Sequence, residues 1–398
     1  MNYELDFSNP DFLENPYPYY KKLRALDNPI WVPQAAEMPS SSKGIWFFSR
    51  YDDAVTILKQ SISISNDVSK VRSESETNPF FMHMLNRDGT DHARLRGLVS
   101  KFFSVRYIKS IESHMAKVVE DLLDTIETKK TVDLISDFAE QVPFGVIANI
   151  IGIPVTDMPK IREWIILIGD GFDTMLITED IIKKQQQALL DFLKYLRHLI
   201  KDEQFDKESM LYSLLQAKEE GEINEDELIG MVGFILGAGH ESTIGLIGNG
   251  LWLLLSHPEQ WQLLVKRPDL IPQAIEEALR FESPLQRSNF RIAEKDIDIN
   301  GFKVKSGEQI SVIIAAANHD ENIFDDAESF NILRNPNPHI AFGVGIHNCL
   351  GKQLARIEVR IAFEKLIARF PNMKLQSTVP KWRRNTFFRA LNELVVTP

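Results

Sequence analysis

The sequence predicts a mainly α-helical fold with a minor β-sheet region. Three observations predict it. Apolar residues recur at three- and four-residue spacing along most of the chain. Strand-like runs are short and clustered, and they do not alternate with helices as a parallel sheet would require. One apolar run, 228–256, is long enough to form the buried centre of a large core.

The helices follow in chain order, each from its apolar face. Tyr20 and Leu23 share a face near 17–26, and Ala54, Ile57 and Leu58 do so near 51–60. Leu95, Leu98 and Val99 mark 91–104; Met115, Val119, Leu122 and Ile126 mark 106–128. The stretch 137–151 is apolar on most sides. Ile161, Ile165 and Ile168 give 158–172, Phe192, Leu196 and Leu199 give 178–203, and Leu211, Leu214 and Leu215 give 207–217. The long run gives 225–256. Prolines open the next two helices, 258–266 and 268–281, where a missing N–H does no harm. Val359, Ala362, Phe363 and Leu366 place the last helix at 350–369. Strands are expected at 29–33, 44–49, 289–292, 296–299 and 309–314, with a further β-like patch at 384–396. No repeat or linker divides the chain, so a single domain over 1–398 is expected.

Composition narrows the function. The net charge of −11 argues against general nucleic-acid or anionic-membrane binding. A single cysteine excludes an intramolecular disulfide and any Cys-rich zinc site. The N-terminal stretch has neither the basic nor the apolar segment of a secretory leader, so a cytoplasmic location is expected. The run 228–256 would span a bilayer by length. It carries Gly239, His240, Glu241, Ser242 and Thr243 at its middle, where charge is costly in lipid, and no basic flank. A buried core helix is expected there, not a membrane span.

The lone thiol, Cys349, sits in "FGVGIHNCLG", 342–351. Gly343, Gly345 and Gly351 allow positive φ and close approach to a flat partner. A helix starting near Leu350 would place its N-terminus beside the sulfur and favour a thiolate. A thiolate without a second cysteine points to a metal with one protein bond, of which haem iron is the common case. Phe342-Gly343-x-Gly345-x-His347-x-Cys349-x-Gly351, followed by Leu354-Ala355-Arg356, resembles the haem-binding loop of the cytochromes P450 of soluble bacterial type. The resemblance implies the fold of that family, with haem b held between the long central helix and the cysteine-loop helix. It implies that Cys349 is the proximal metal ligand, that Phe342 packs beneath the sulfur and that His347 reaches a haem propionate.

Three further constellations gain meaning from the resemblance. Glu277 and Arg280 lie i, i+3 on one helix face, and Arg334 stands where the family has a third member of a buried structural network. In "DGTDHARLR", His92 and Arg96 lie i, i+4 and point the same way, which suits two propionates. Arg291 takes the place of another propionate-binding arginine, with Arg287 as a competing register. In "AGHEST", Ala238 leaves room against a planar group, and Glu241, Ser242 and Thr243 correspond to the family's acid and alcohols that deliver protons. Most members have threonine where this chain has Ser242.

The activity implied is a haem monooxygenase that inserts one oxygen atom from O2 into a hydrophobic small molecule, in bacterial secondary or fatty-acyl metabolism. Electrons would come from NAD(P)H through a reductase and a separate ferredoxin or flavodoxin. The substrate is either free or bound to a carrier protein. Substrate contacts are expected from the loop at 80–85 (Phe80, Phe81), the turn at 171–177, Phe234 and Gly237, Phe290, and Phe387 with Phe388. A peroxide-driven haem hydroxylase and a non-catalytic haem-thiolate sensor are the alternatives. Glu241-Ser242 argues against the first and the retained proton relay against the second.

Overall fold

Local signals at the helix ends are obeyed. The long helix, Glu225–Ser256, begins where the Asn224 side chain accepts a hydrogen bond from the Glu227 amide and the Glu227 carboxylate accepts one from the Asn224 amide. It ends at His257, and Pro258 opens the next helix, Pro258–Lys266. Thr178 caps Glu179–Leu199 and Ser209 caps Met210–Glu219 in the same side-chain-to-amide way. The structure is a computed structural model that describes residues 5–33, 43–67, 70, 78–171, 173, 175–201 and 206–398. Residues 68–69 and 71–77, ahead of the loop at 80–85, and residues 172 and 174 of the turn 171–177 therefore lie outside the described residues.

The differences from the sequence reading are local. The helix expected at 106–128 is two, Val105–Ser110 and Glu112–Glu127. Its break is at Ile111, whose amide is shared between the carbonyls of Tyr107 and Ile108. The helix expected at 137–151 starts at Gln141, behind a π-turn over Ile135–Ala139. The strand expected at 309–314 stops at Val312, because a short helix, Ile314–Ala317, follows at once. Pro10–Glu14, Ile64–Ser65 and Phe302–Val304 form without having been anticipated.

A five-stranded sheet runs in the order Ile30–Pro33, Gly44–Phe48, Gln309–Val312, Arg291–Ala293, Ile64–Ser65. Only Gly44–Phe48 and Gln309–Val312 pair in parallel; the others are antiparallel. Arg291 stands opposite Ile310, so the register of this pair fixes where its side chain emerges. The C-terminal patch forms as Leu391–Glu393 and Val395–Thr397, the latter between Val132–Asp133 and Lys374–Leu375.

The largest apolar cluster packs around the long helix. The helix Lys352–Arg369 and the helix Ile271–Phe281 meet it at Gly250, where a Cβ would stand 2.9 Å from the Phe363 ring and 3.6 Å from Ala278. The absence of a side chain there lets three helices cross closely. The long helix is apolar and long enough to cross a membrane, yet 72% of its apolar window is buried inside the protein. It is a core helix.

Candidate functional site: the cysteine loop and the open face of the long helix

The loop that carries Cys349 hangs from a buried ionic scaffold. Glu277 and Arg280 are fully buried and paired through two hydrogen bonds of 2.8 Å. Arg334 Nε reaches the same carboxylate at 3.1 and 3.2 Å. Arg280 also donates to the carbonyls of Asn318, Ala327 and Ser329, and Asn337 donates to Glu277. One residue earlier, Glu276 takes a bidentate pair from Arg356 (2.6 and 2.7 Å) and one contact from His339 (3.0 Å). Burial raises Glu276's pKa, but these partners outweigh it and hold it at about 2. The guanidinium of Arg356 lies 4.5 Å above the Phe342 ring. Both ends of the loop are thus tied to one helix.

Within the loop, the Cys349 amide donates to the Phe342 carbonyl at 2.8 Å. Gly343 and Gly345 adopt positive φ, +66° and +82°, as expected. Gly351 does not: its φ is −81°, and it caps a helix that begins at Lys352. Its N–H points at the sulfur instead. Burial pushes the Cys349 thiol up, and the Gly351 N–H with Arg96, Lys352 and Arg356 only partly offsets that. A bound cation beside the sulfur would act in the opposite direction and favour the thiolate.

The mostly buried long helix has one open stretch. Ala238 is exposed at the middle of Glu225–Ser256, and Phe234, Gly237 and Ser242 are half-buried beside it. Residues 234, 238 and 242 repeat every fourth position and form one stripe. A Cβ on Gly237 would touch nothing. The helix is anchored on either side of the stripe. Glu227 pairs with Arg94, on the helix Gly89–Ser100 that carries His92 and Arg96, and Gly250 rests on the cysteine helix.

Three nitrogen donors gather near the cysteine loop without carboxylate hydrogen-bond partners among the described residues. His92 is buried and its Nε2 has no hydrogen-bond partner. Burial, then the charges of His347 and Arg96, push its pKa down to about 4. Arg96 makes one long contact, 3.5 Å to Asn348 Oδ1. Arg291 is buried and donates only to the carbonyls of Ile57 and Leu58, at 3.3 and 3.4 Å. The competing Arg287 instead meets Asp173 at 3.5 Å. Arg291 is a buried cation without an ion pair among the described residues, and such a group calls for an anion. A flat apolar group with two carboxylates and a metal that takes a sulfur ligand fits both the donors and the exposed stripe. Haem is such a group.

Comparison with known proteins agrees. The "Cytochrome P450" family model matches residues 260–393. A Bacillus subtilis (strain 168) protein named biotin biosynthesis cytochrome P450 is 36% identical over 402 residues, covering 98% of each chain. The chain is a cytochrome P450. A crystal structure of a myxobacterial cytochrome P450 in complex with myristic acid superposes with a TM-score of 0.89 at 33% identity, over 98% of each chain. A second, P450BioI in complex with an acyl carrier protein ligated to hexadec-9Z-enoic acid, does so with a TM-score of 0.89 at 35% identity, over 99% of this chain and all of that one. This cytochrome P450 therefore has the fold of its family, and the family's members are haem monooxygenases.

Other sequence-selected residues take distinct places in this cytochrome P450. His347 lies 4.3 Å from the His92 ring and contacts Asp88 at 3.4 Å. Ser242 borders the opening and its hydroxyl donates to the Ala238 carbonyl at 3.0 Å. Thr243 is buried on another side and donates to Gly239 at 3.1 Å, so only one of the two alcohols faces the opening. Phe80 is buried against Phe192 and Gly233. Phe81 is half-buried, and Phe234 stacks on His83 at 4.2 Å. Phe290 packs with the N-terminal cluster, and Phe387 and Phe388 meet edge to face.

Glu241 gains a partner that the sequence did not reveal. Its carboxylate binds Arg383, which also stands 3.6 Å from Asp170. His240 Nδ1 is 3.6 Å away, on a ring stacked over Phe144. Burial would raise the Glu241 pKa, but His240 and Arg383 bring it down to about 2. The folded value lies below the ordinary 4.5. Its stabilisation is therefore complete above about 4.5 and lost as pH falls through about 2. Thermal melts should show Glu241→Gln below the native protein at neutral pH, with the gap closing across that acid window. A gap that does not change with pH would contradict an ionised Glu241.

Proposed function

We propose that this cytochrome P450 inserts one oxygen atom into a hydrophobic small molecule of fatty-acyl or secondary-metabolite type. Cys349 would supply the thiolate ligand of haem, and His92, Arg96, Arg291 and His347 would hold its carboxylates, with Phe342 and the loop glycines shaping the loop around the sulfur. Ala238 leaves the space that the group needs. Bound haem supplies O2 activation and transfer of the oxygen atom. The protein excludes water with the apolar stripe and moves protons along its own groups. Ser242 is the last of these, because it alone faces the opening; Glu241 feeds it when Arg383 releases its carboxylate. Thr243 is a packing residue of that turn. Electrons arrive from NAD(P)H through a reductase and a ferredoxin or flavodoxin, as the family's need for a separate donor implies. A relative seen with a carrier-bound acyl chain and another with myristic acid support an acyl-type substrate for this chain.

The exposed Ala238 on an otherwise buried helix, together with the unpartnered Nε2 of His92 beside the cysteine loop, is the observation that carries this reading. Turnover with labelled O2, a ferredoxin, its reductase and NAD(P)H should place one labelled atom in the product. Ser242→Ala should cut product formed per electron pair by about 10²-fold while peroxide release rises. Product formed only when peroxide is supplied, and unaffected by Ser242→Ala, would favour the peroxide-driven alternative.

A further inference from the structure

Arg383 has a second carboxylate within reach. Its Nη1 binds Glu241 Oε2 on the long helix, and its Nη2 stands 3.6 Å from Asp170 Oδ1. The first contact is a closed ion pair. The second lies just outside hydrogen bonding and needs a shift of about 1 Å or less to close. A rigid guanidinium that moves onto Asp170 is drawn off Glu241. The three side chains also form a gradient of exposure: 5% for Glu241, 22% for Arg383 and 39% for Asp170. One cation thus stands between a buried carboxylate and one that water reaches.

Both carboxylates draw on that cation. Glu241 Oε1 is buried without a hydrogen-bond partner, and His240 Nδ1 is 3.6 Å from it. Glu140, itself paired with Arg162, is near enough to repel Glu241. Asp170 is the last residue of the helix Met158–Asp170, where the helix dipole disfavours a negative charge. Burial pushes its pKa up, Glu241 and Asp173 add to that, and Arg383 only partly offsets it.

We propose that Asp170 is the second partner of Arg383 during turnover: it takes the guanidinium while Glu241 picks up a proton, and yields it once Glu241 has passed that proton on. This deepens the proposed function and rests on it. Arg383 keeps its own protons throughout, because a guanidinium does not titrate in a protein. Only the charge pairing moves. With Arg383 on Asp170, Glu241 is a buried carboxylate without a cation, and it takes one proton from solvent. It gives one proton to the Ser242 hydroxyl as that hydroxyl gives up its own, and the carboxylate left behind draws Arg383 back. Asp170 acts through Arg383 and is a positioning residue.

Thermal melts test the sharing without any substrate. In the native background Arg383 rests on Glu241, so Asp170→Asn should move Tm little. In Glu241→Gln the guanidinium falls to Asp170, and Asp170→Asn should then lower Tm by at least about twice as much. Equal shifts in the two backgrounds would overturn the shared cation. Oxygen consumption by the haem-loaded protein with a ferredoxin, its reductase and NAD(P)H tests the role in proton supply. Asp170→Asn should slow it about fivefold or more and raise its solvent isotope effect, because Arg383 no longer leaves Glu241. Adding Arg383→Gln to Asp170→Asn should restore the rate, which loss of a merely structural contact would not allow. An unchanged rate and isotope effect in Asp170→Asn, or a loss that Arg383→Gln deepens, would overturn the proposal while the monooxygenase reading stands. If the Arg383 variant does not fold, the melts and the isotope effect still decide. Native protein without a thiolate-type carbon monoxide spectrum would overturn the monooxygenase reading itself, and the proposal with it.

Discussion

Glu277→Gln is expected to destabilise the protein by about 3–5 kcal/mol and to empty the haem site in the same step. The change removes one charge but strands two guanidinium groups. Arg280 has no exposed surface and Arg334 is 10% exposed by side chain, and both turn on that carboxylate. The Asn331 amide and the Asn337 side chain also donate to it. Glutamine keeps the shape and offers one acceptor where four donors converge. Glu276→Gln is the control. Its side chain is 30% exposed and solvent can replace part of what is lost, so a far smaller change is expected. Denaturant melts of both variants decide the matter. Equal losses would mean that burial of the Glu277 network is not what holds the cysteine loop.

Gly345→Ala is expected to damage the same loop by a different route. The residue has φ +82°, and a Cβ there would stand 2.5 Å from the Leu58 carbonyl oxygen and 3.1 Å from the Lys59 Cα. Backbone cannot step aside as a side-chain tip can. Arg291 donates to that carbonyl, so displacing it also disturbs a buried cation. Gly343→Ala provides the comparison: φ is +66°, but a Cβ there meets nothing. It should cost only the strain of a left-handed backbone, about 1–2 kcal/mol. Gly345→Ala should cost more than that and lower haem content. If the two variants behave alike, the close approach of the loop to Leu58 is not what limits it.

The parts of the site that were legible in the sequence are those carried by contiguous residues. The loop 342–351, the Glu277–Arg280 spacing and the His92–Arg96 spacing are each short and local, so a family resemblance carried by such motifs can pick them out. What was not legible depends on long-range backbone pairing. Arg287 competes with Arg291 in the sequence, and only the fold shows that Arg287 meets Asp173 while Arg291 pairs on the sheet opposite Ile310. Arg383 reaches Glu241 across 142 residues, and nothing near "KWRRN" announces it. Thr243 resembles Ser242 as a letter but lies about 100° farther round the helix, out of the opening. The short pieces missed, Ile64–Ser65 and Phe302–Val304, carry too few residues for a period to show. They exist because neighbouring strands complete their hydrogen bonds.

The most direct check concerns the sulfur of Cys349. Reduced protein exposed to carbon monoxide should show the red-shifted Soret band of thiolate-bound haem. Cys349→Ala, loaded with haem by the same route, should show no such band. Persistence of the red-shifted band in Cys349→Ala would mean that another atom binds the iron, and the assignment of this loop as its ligand would be wrong.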